Sequence, residues 1–123
     1  MKHLRCVTGS MVSVVLLILA VPALRAQDMV KVAPGNCKVL LDNDRVRVVR
    51  VVLKPGDKLE MHSHPATIVY SLTGGKTKYT LPDGKTEERE IKAGTTRWSE
   101  PETHGAENIG TTESRALVIE LKK

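Results

Sequence analysis

The chain has 123 residues, 41% of them hydrophobic, and contains no Phe. That length allows one domain, and its core must come from Val, Leu and Ile, which suits β-strands and excludes an aromatic-rich interior. The net charge of +5 does not signal nucleic-acid or membrane-surface binding. Lys2, Arg5 and Arg25 fall in the first 26 residues with no acid beside them, and without these three cations the balance is only +2.

Residues 1–26 have the tripartite pattern of a secretory signal peptide. Met1–Arg5 is basic, Met11–Leu24 is almost wholly apolar, and small residues follow at Ala23 and Ala26. The apolar run falls short of the roughly 18 to 20 residues of a membrane span, and Pro22 interrupts it. Cleavage is expected after Ala26 or Ala23, giving a periplasmic or secreted protein with no stable membrane span. Cys6 leaves with the leader and Cys37 alone remains. No internal disulfide is therefore expected, and a partly buried Cys37 side chain is preferred to thiol chemistry.

Residues 27–36 read as an extended lead-in ending in the turn Pro34-Gly35-Asn36. Short strands separated by turn signals follow. Val39–Leu41 precedes Asp42-Asn43-Asp44, and Arg45–Leu53 then alternates with a change of phase at Val48-Val49. That change predicts a bulge or a strand covered on both faces. Lys54-Pro55-Gly56-Asp57 is a turn, Leu59–His64 a strand ended by Pro65, and Thr67–Leu72 a β-branched strand closed by Gly74-Gly75. Lys76–Leu81 and Thr86–Ile91 form a hairpin across Pro82-Asp83-Gly84-Lys85. Thr95–Trp98, a polar loop over 99–103, His104–Asn108 and Arg115–Leu121 complete the chain. Strands at intervals of roughly 8 to 12 residues with no helical period predict an all-β sandwich or barrel, and one domain over residues 37–123.

The stretch with chemistry in it is Glu60-Met61-His62-Ser63-His64. Residues two apart on a strand share a face, so His62 and His64 project together. Two imidazoles at this spacing suit one metal ion. His104 would close a facial triad if its strand lay beside this one, leaving positions open for other ligands. Glu60 should share the face of His62 and is a further ligand candidate. Tyr70, Tyr79, Arg97 and Trp98 are pocket candidates, with packing as the competing role for the aromatic residues. For the histidines the competing reading is a hydrogen-bonded polar patch without metal.

Gly56, then His62-Ser63-His64, then Gly75 resemble the first motif of the cupins. His104 and Asn108 resemble the end of the second. The tail from Ala106 to Lys122 is similar to small single-domain bacterial cupins, including some associated with β-alanine degradation. The resemblance runs from about Val39 to the C-terminus. It implies a cupin-type double-stranded β-helix, a conical, jelly-roll-like barrel, and it gives Asn108 the role of holding the segment that bears His104. Two departures stand out. The family's carboxylate ligand would fall four or five residues after His64, where Ile68 and Val69 stand. Pro101-Glu102-Thr103-His104 lacks the usual glycine, and its interval from Gly94 is one residue short.

Three histidines accept Fe, Zn, Mn or Ni, so a divalent metal is expected without its identity. The reading is an exported metal-binding cupin, a metal-dependent dioxygenase, isomerase or lyase acting on a small organic acid, with Glu60 or Glu102 available for proton transfer. The alternative is a non-catalytic module that binds metal or a small ligand. A small molecule and a second copy of the chain are the expected partners. A homodimer would form by sheet packing or by pairing at an edge strand such as Val46–Val52.

Overall fold

The computed structural model describes residues 27–123; the leader inferred for residues 1–26 lies outside the described residues. In chain order the elements are β1 (Gln27–Asp28), α1 (Met29–Val32), β2 (Cys37–Asp42), β3 (Val46–Leu53), β4 (Lys58–His64), β5 (Thr67–Ser71), β6 (Gly75–Thr80), β7 (Thr86–Ile91), β8 (Thr96–Ser99), β9 (Glu102–Asn108) and β10 (Ser114–Leu121). They make two five-stranded sheets, β1-β4-β9-β6-β7 and β2-β3-β10-β5-β8, the two walls of a double-stranded β-helix. No helix among the described residues is long and apolar enough to cross a membrane.

Strand parity decides what each wall turns inward. Val49, Val51 and Leu53 of β3 are buried against Leu59 of β4 and Ala106 of β9, with Cys37 and Met29 closing the cluster. Burial, and then the nearby acids Asp28 and Glu120, push the Cys37 thiol up to about 11. It is therefore protonated at neutral pH and packs as a small apolar group.

The segment 27–36 is not simply extended. β1 runs parallel to β4, pairing Gln27 with His62 and Asp28 with Ser63. Asp28 then caps a single helical turn, its carboxylate accepting from the Val30 amide at 2.9 Å. Met29 is thereby turned into the core. The same carboxylate pairs with Arg47, whose Nε donates to Glu120 at 2.6 Å. Arg47, an inward-facing position on β3, thus carries a partly buried charge that two carboxylates compensate.

Two bulges adjust the parity. The one expected near Val48-Val49 lies on the partner strand, between Val39 and Leu41 of β2. The other lies in β4 between Leu59 and His62, where Glu60 and Met61 together face Gly105 of β9. β3 is flanked by β2 and β10. Val46–Val52 is therefore an interior strand and has no free edge to offer a second copy; the edge strands of that sheet are β2 and β8.

Candidate metal centre

The β4–β9 ladder makes His62 and His104 direct cross-strand partners, and His64 lies two residues on. Ring centroids are 4.9 Å apart for His62–His104, 5.0 Å for His64–His104 and 6.2 Å for His62–His64. Short-range order fixes two of the tautomers. The Nδ1–H of His62 donates to the Glu60 carbonyl and that of His64 to the Pro65 carbonyl, each at 2.8 Å. A carbonyl can only accept, so in both rings Nε2 keeps its lone pair for another partner.

A carboxylate completes the group from an unexpected strand. Glu102 begins β9, two residues before His104, and so faces the same way. Its Oε1 is 3.1 Å from His104 Nδ1 and 3.5 Å from His64 Nε2, and it accepts from the Ser99 hydroxyl at 2.8 Å. One ligand atom each from His64, Glu102 and His104 lie within 4.8 Å of one another. Donors 2.0–2.2 Å from one ion can be at most about 4.4 Å apart. The 3.1 and 3.5 Å separations of Glu102 Oε1 from the two imidazoles fall inside that span.

The electrostatics favour a cation over a plain polar patch. Burial, and next the neighbouring histidines, lower His104 to about 4 against the pull of Glu102. Burial also lowers His62. Burial would raise Glu102, but the Ser99 hydrogen bond and the charges at His104 and His64 outweigh it and hold the carboxyl below its ordinary value. An ionised carboxylate thus sits beside His62 and His104, whose protonation burial disfavours, a donor set that fits a divalent ion.

The other candidates divide cleanly. Tyr79 and Arg97 line the same cavity of about 100 Å³ as the three histidines; the Tyr79 ring is 5.2 Å from that of His104. Glu60 does not. The bulge inserts one residue before His62 and turns the Glu60 side chain onto the outer, exposed surface beside Lys58 and Glu107. Tyr70 and Trp98 also face outward, because Val69 and Arg97 are their inward-facing neighbours. Trp98 is 52% exposed and donates to Glu100 at 2.8 Å. Asn108 is fully buried but away from the cavity. Its Nδ2 donates to the carbonyls of Leu53 (2.8 Å) and Thr112 (2.9 Å), and its Oδ1 accepts from the Gly110 amide. It ties the far end of β9 to two turns. Of the two positions where the family's carboxylate would stand, Ile68 points outward and Val69 lines the cavity as an aliphatic residue. Glu102 supplies the carboxylate from the other wall.

No family model and no curated protein sequence matches the chain. Solved structures do. A cupin domain protein from Bordetella pertussis is 27% identical, with 71% of this chain and 92% of that one covered and a TM-score of 0.66. A predicted oxalate decarboxylase from Thermotoga maritima is 31% identical over 69% of this chain and 78% of that one, with a TM-score of 0.51. A cupin family protein with a double-stranded β-helix from Methanocaldococcus jannaschii is 17% identical, covers 70% and 78%, and has a TM-score of 0.58; at that identity it speaks for the fold alone. These likenesses and the two-walled barrel define a double-stranded β-helix protein with an inward-facing histidine–carboxylate cluster. The chain has the cupin fold.

Proposed function

We propose that the chain is an exported, metal-dependent cupin enzyme acting on a small organic acid, by decarboxylation or another lyase step, by isomerisation, or by oxidation with O₂. The observation that carries the metal is the ionised Glu102 set between His64 and His104, with the His62 ring 4.9 Å from that of His104. His62, His64, His104 and Glu102 would hold one divalent ion. Such an ion, when bound, polarises a carbonyl or carboxylate oxygen and, as Fe(II), also admits O₂ chemistry. The chain's own residues shape the rest. Val51, Leu53, Leu59 and Val118 line the cavity and keep water from its inner end. Ser99 orients Glu102. A space of about 100 Å³ is well below that of pockets for drug-sized ligands, so the substrate is an acid of a few heavy atoms, a class that includes β-alanine. The likeness to a predicted oxalate decarboxylase supports the same class.

The test is elemental analysis of the purified mature protein. About one equivalent of Fe, Zn, Mn or Ni is expected, a Glu102→Gln variant should bind it at least about tenfold more weakly, and a His62→Ala, His104→Ala double variant should hold none. Wild-type protein with less than about a tenth of an equivalent, and no recovery on adding these ions, would overturn the reading.

We also propose that the outer face of the β2-β3-β10-β5-β8 sheet packs against a second copy. Leu41, Val48, Ile119, Ile68 and Trp98 are successive cross-strand neighbours and form one apolar row across all five strands, the kind of surface that marks an interface.

A further inference from the structure

The wall of the cavity facing the histidines carries two polar groups that the metal reading does not use. Thr67 is 1% exposed and lines the cavity, yet its hydroxyl has no hydrogen-bond partner among the described residues. Arg97 lines the same cavity. It donates to the Tyr79 hydroxyl at 3.3 Å and stacks over that ring at 5.6 Å. It forms no ion pair among the described residues. The β5–β8 ladder pairs Thr67 with Ser99 and Val69 with Arg97, so Thr67 and Arg97 leave adjacent strands on one inward face. The Ser99 hydroxyl between them is already given to Glu102.

We infer that Arg97 and Thr67 form a subsite for a planar carboxylate, held across the cavity from the metal ligands. The inference rests on the metal reading. A guanidinium keeps its charge at every physiological pH and offers parallel N–H donors that match a carboxylate edge. Glu102 and Glu87 feel this cation without pairing with it, so its donors stay open to a further anion, and leaving a buried hydroxyl unbonded is unfavourable. One small carboxylate satisfies both groups. The small cavity argues against phosphorylated or nucleotide ligands. The substrate would thus be fixed at two points, its carboxylate by the Arg97 wall and a second oxygen by the metal wall. Arg97 becomes the residue that separates acids from their neutral analogues.

The competing use of the Thr67 hydroxyl is a bond to Glu120. These two residues are cross-strand partners, and Glu120 Oε1 is also unpartnered. The experiment loads the mature chain and its variants with Co(II), measures metal content, and titrates with glycolate, glycolamide and inorganic phosphate. Calorimetry and the visible Co(II) spectrum report binding. Wild type should favour glycolate over glycolamide by about tenfold or more. Arg97→Met should lose that preference with metal content unchanged, and Arg97→Lys should keep part of it. Thr67→Val should weaken glycolate severalfold. Full metal content with unaltered glycolate binding in Arg97→Met overturns the subsite alone, whereas a wild type that takes up no metal overturns the reading beneath it. Phosphate binding as tight as glycolate overturns the planar-carboxylate assignment. A Thr67→Val variant that melts earlier but binds glycolate as wild type assigns that hydroxyl to Glu120 and removes it from the subsite.

Discussion

The two walls of the barrel are alike in strand number and opposite in what they show to the outside. The β1-β4-β9-β6-β7 wall, whose inner face holds His62, His64, His104 and Glu102, presents charge outward: Lys78 pairs with Glu107 at 2.9 Å and Lys76 with Glu88 at 3.1 Å. The β2-β3-β10-β5-β8 wall, whose inner face holds Thr67, Val69 and Arg97, presents an apolar row that ends in the exposed Leu41 and Trp98. The difference teaches a division of labour. One wall can be solvated because its ion pairs satisfy it, while the other leaves apolar surface in water unless something covers it.

The largest expected effect comes from breaking the apolar wall. Ile119→Asp puts a charge at the middle of the row. It should convert a dimer to monomer in sedimentation velocity, with dimerisation weakened at least about a hundredfold. A wild-type protein that is monomeric at high concentration sinks the second-copy proposal.

Next in size is the effect of metal on the charged wall. A ligand that binds only the folded state stabilises it by about 2.7 kcal/mol when present at a hundred times its Kd. Added metal should raise the melting temperature accordingly. Amide-exchange protection should rise first in β4 and β9, the strands that carry all four ligand candidates. Equal protection gains in β5 and β10 would show that the walls are not divided in this way.

A smaller effect concerns the lead-in that docks on the charged wall. Burial works to raise the Asp28 pKa, but the Arg47 hydrogen bond and charge and the Val30 and Lys31 amides outweigh it, so the folded value lies below the ordinary 3.8. A depressed carboxylate contributes stability above its unfolded pKa and loses it as pH falls through the folded one. Asp28→Asn should therefore cost about 1 kcal/mol at pH 7. It should also flatten the part of the acid-induced stability loss that occurs below about pH 4. A parallel pH profile in variant and wild type would remove Asp28 from this role.

Much of the fold was legible in the sequence because parity and turn chemistry are local. Gly56 and Gly84 sit at positive φ in the turns expected for them, and His62 meets His104 because H-x-H and a later histidine fell on adjacent strands. What was missed came from single-residue shifts in register. The β4 bulge reversed the face of Glu60, which alternation alone had placed beside His62. Glu102 reads as part of a polar loop, although it stands two residues before His104, the same spacing that relates His62 to His64. Extending β9 by two residues would have found it. Residue type alone makes Tyr70 and Trp98 pocket candidates. Only the inward turn of Val69 and Arg97 shows that they belong outside. The lead-in was hardest to read, because a two-residue strand and one helical turn have no period to detect.

The smallest expected effect tests the charged wall. Lys76 and Glu88 are both about half exposed, so their pair works against water and salt, and Lys76→Ala should change stability by no more than about 0.5 kcal/mol. Stability is then the wrong measure of what these charges do. If charge is what keeps this wall in solvent, replacing Lys76, Lys78 and Glu88 together by Leu should leave the fold intact and create a second apolar face. A chain with two such faces can associate through both. Light scattering should then show species larger than a dimer, growing with concentration, while the Ile119→Asp change in the same background limits assembly to the new face. If the triple variant stays the size of wild type, charge is not what separates the two walls, and the apolar row would need another explanation than cover by a second copy.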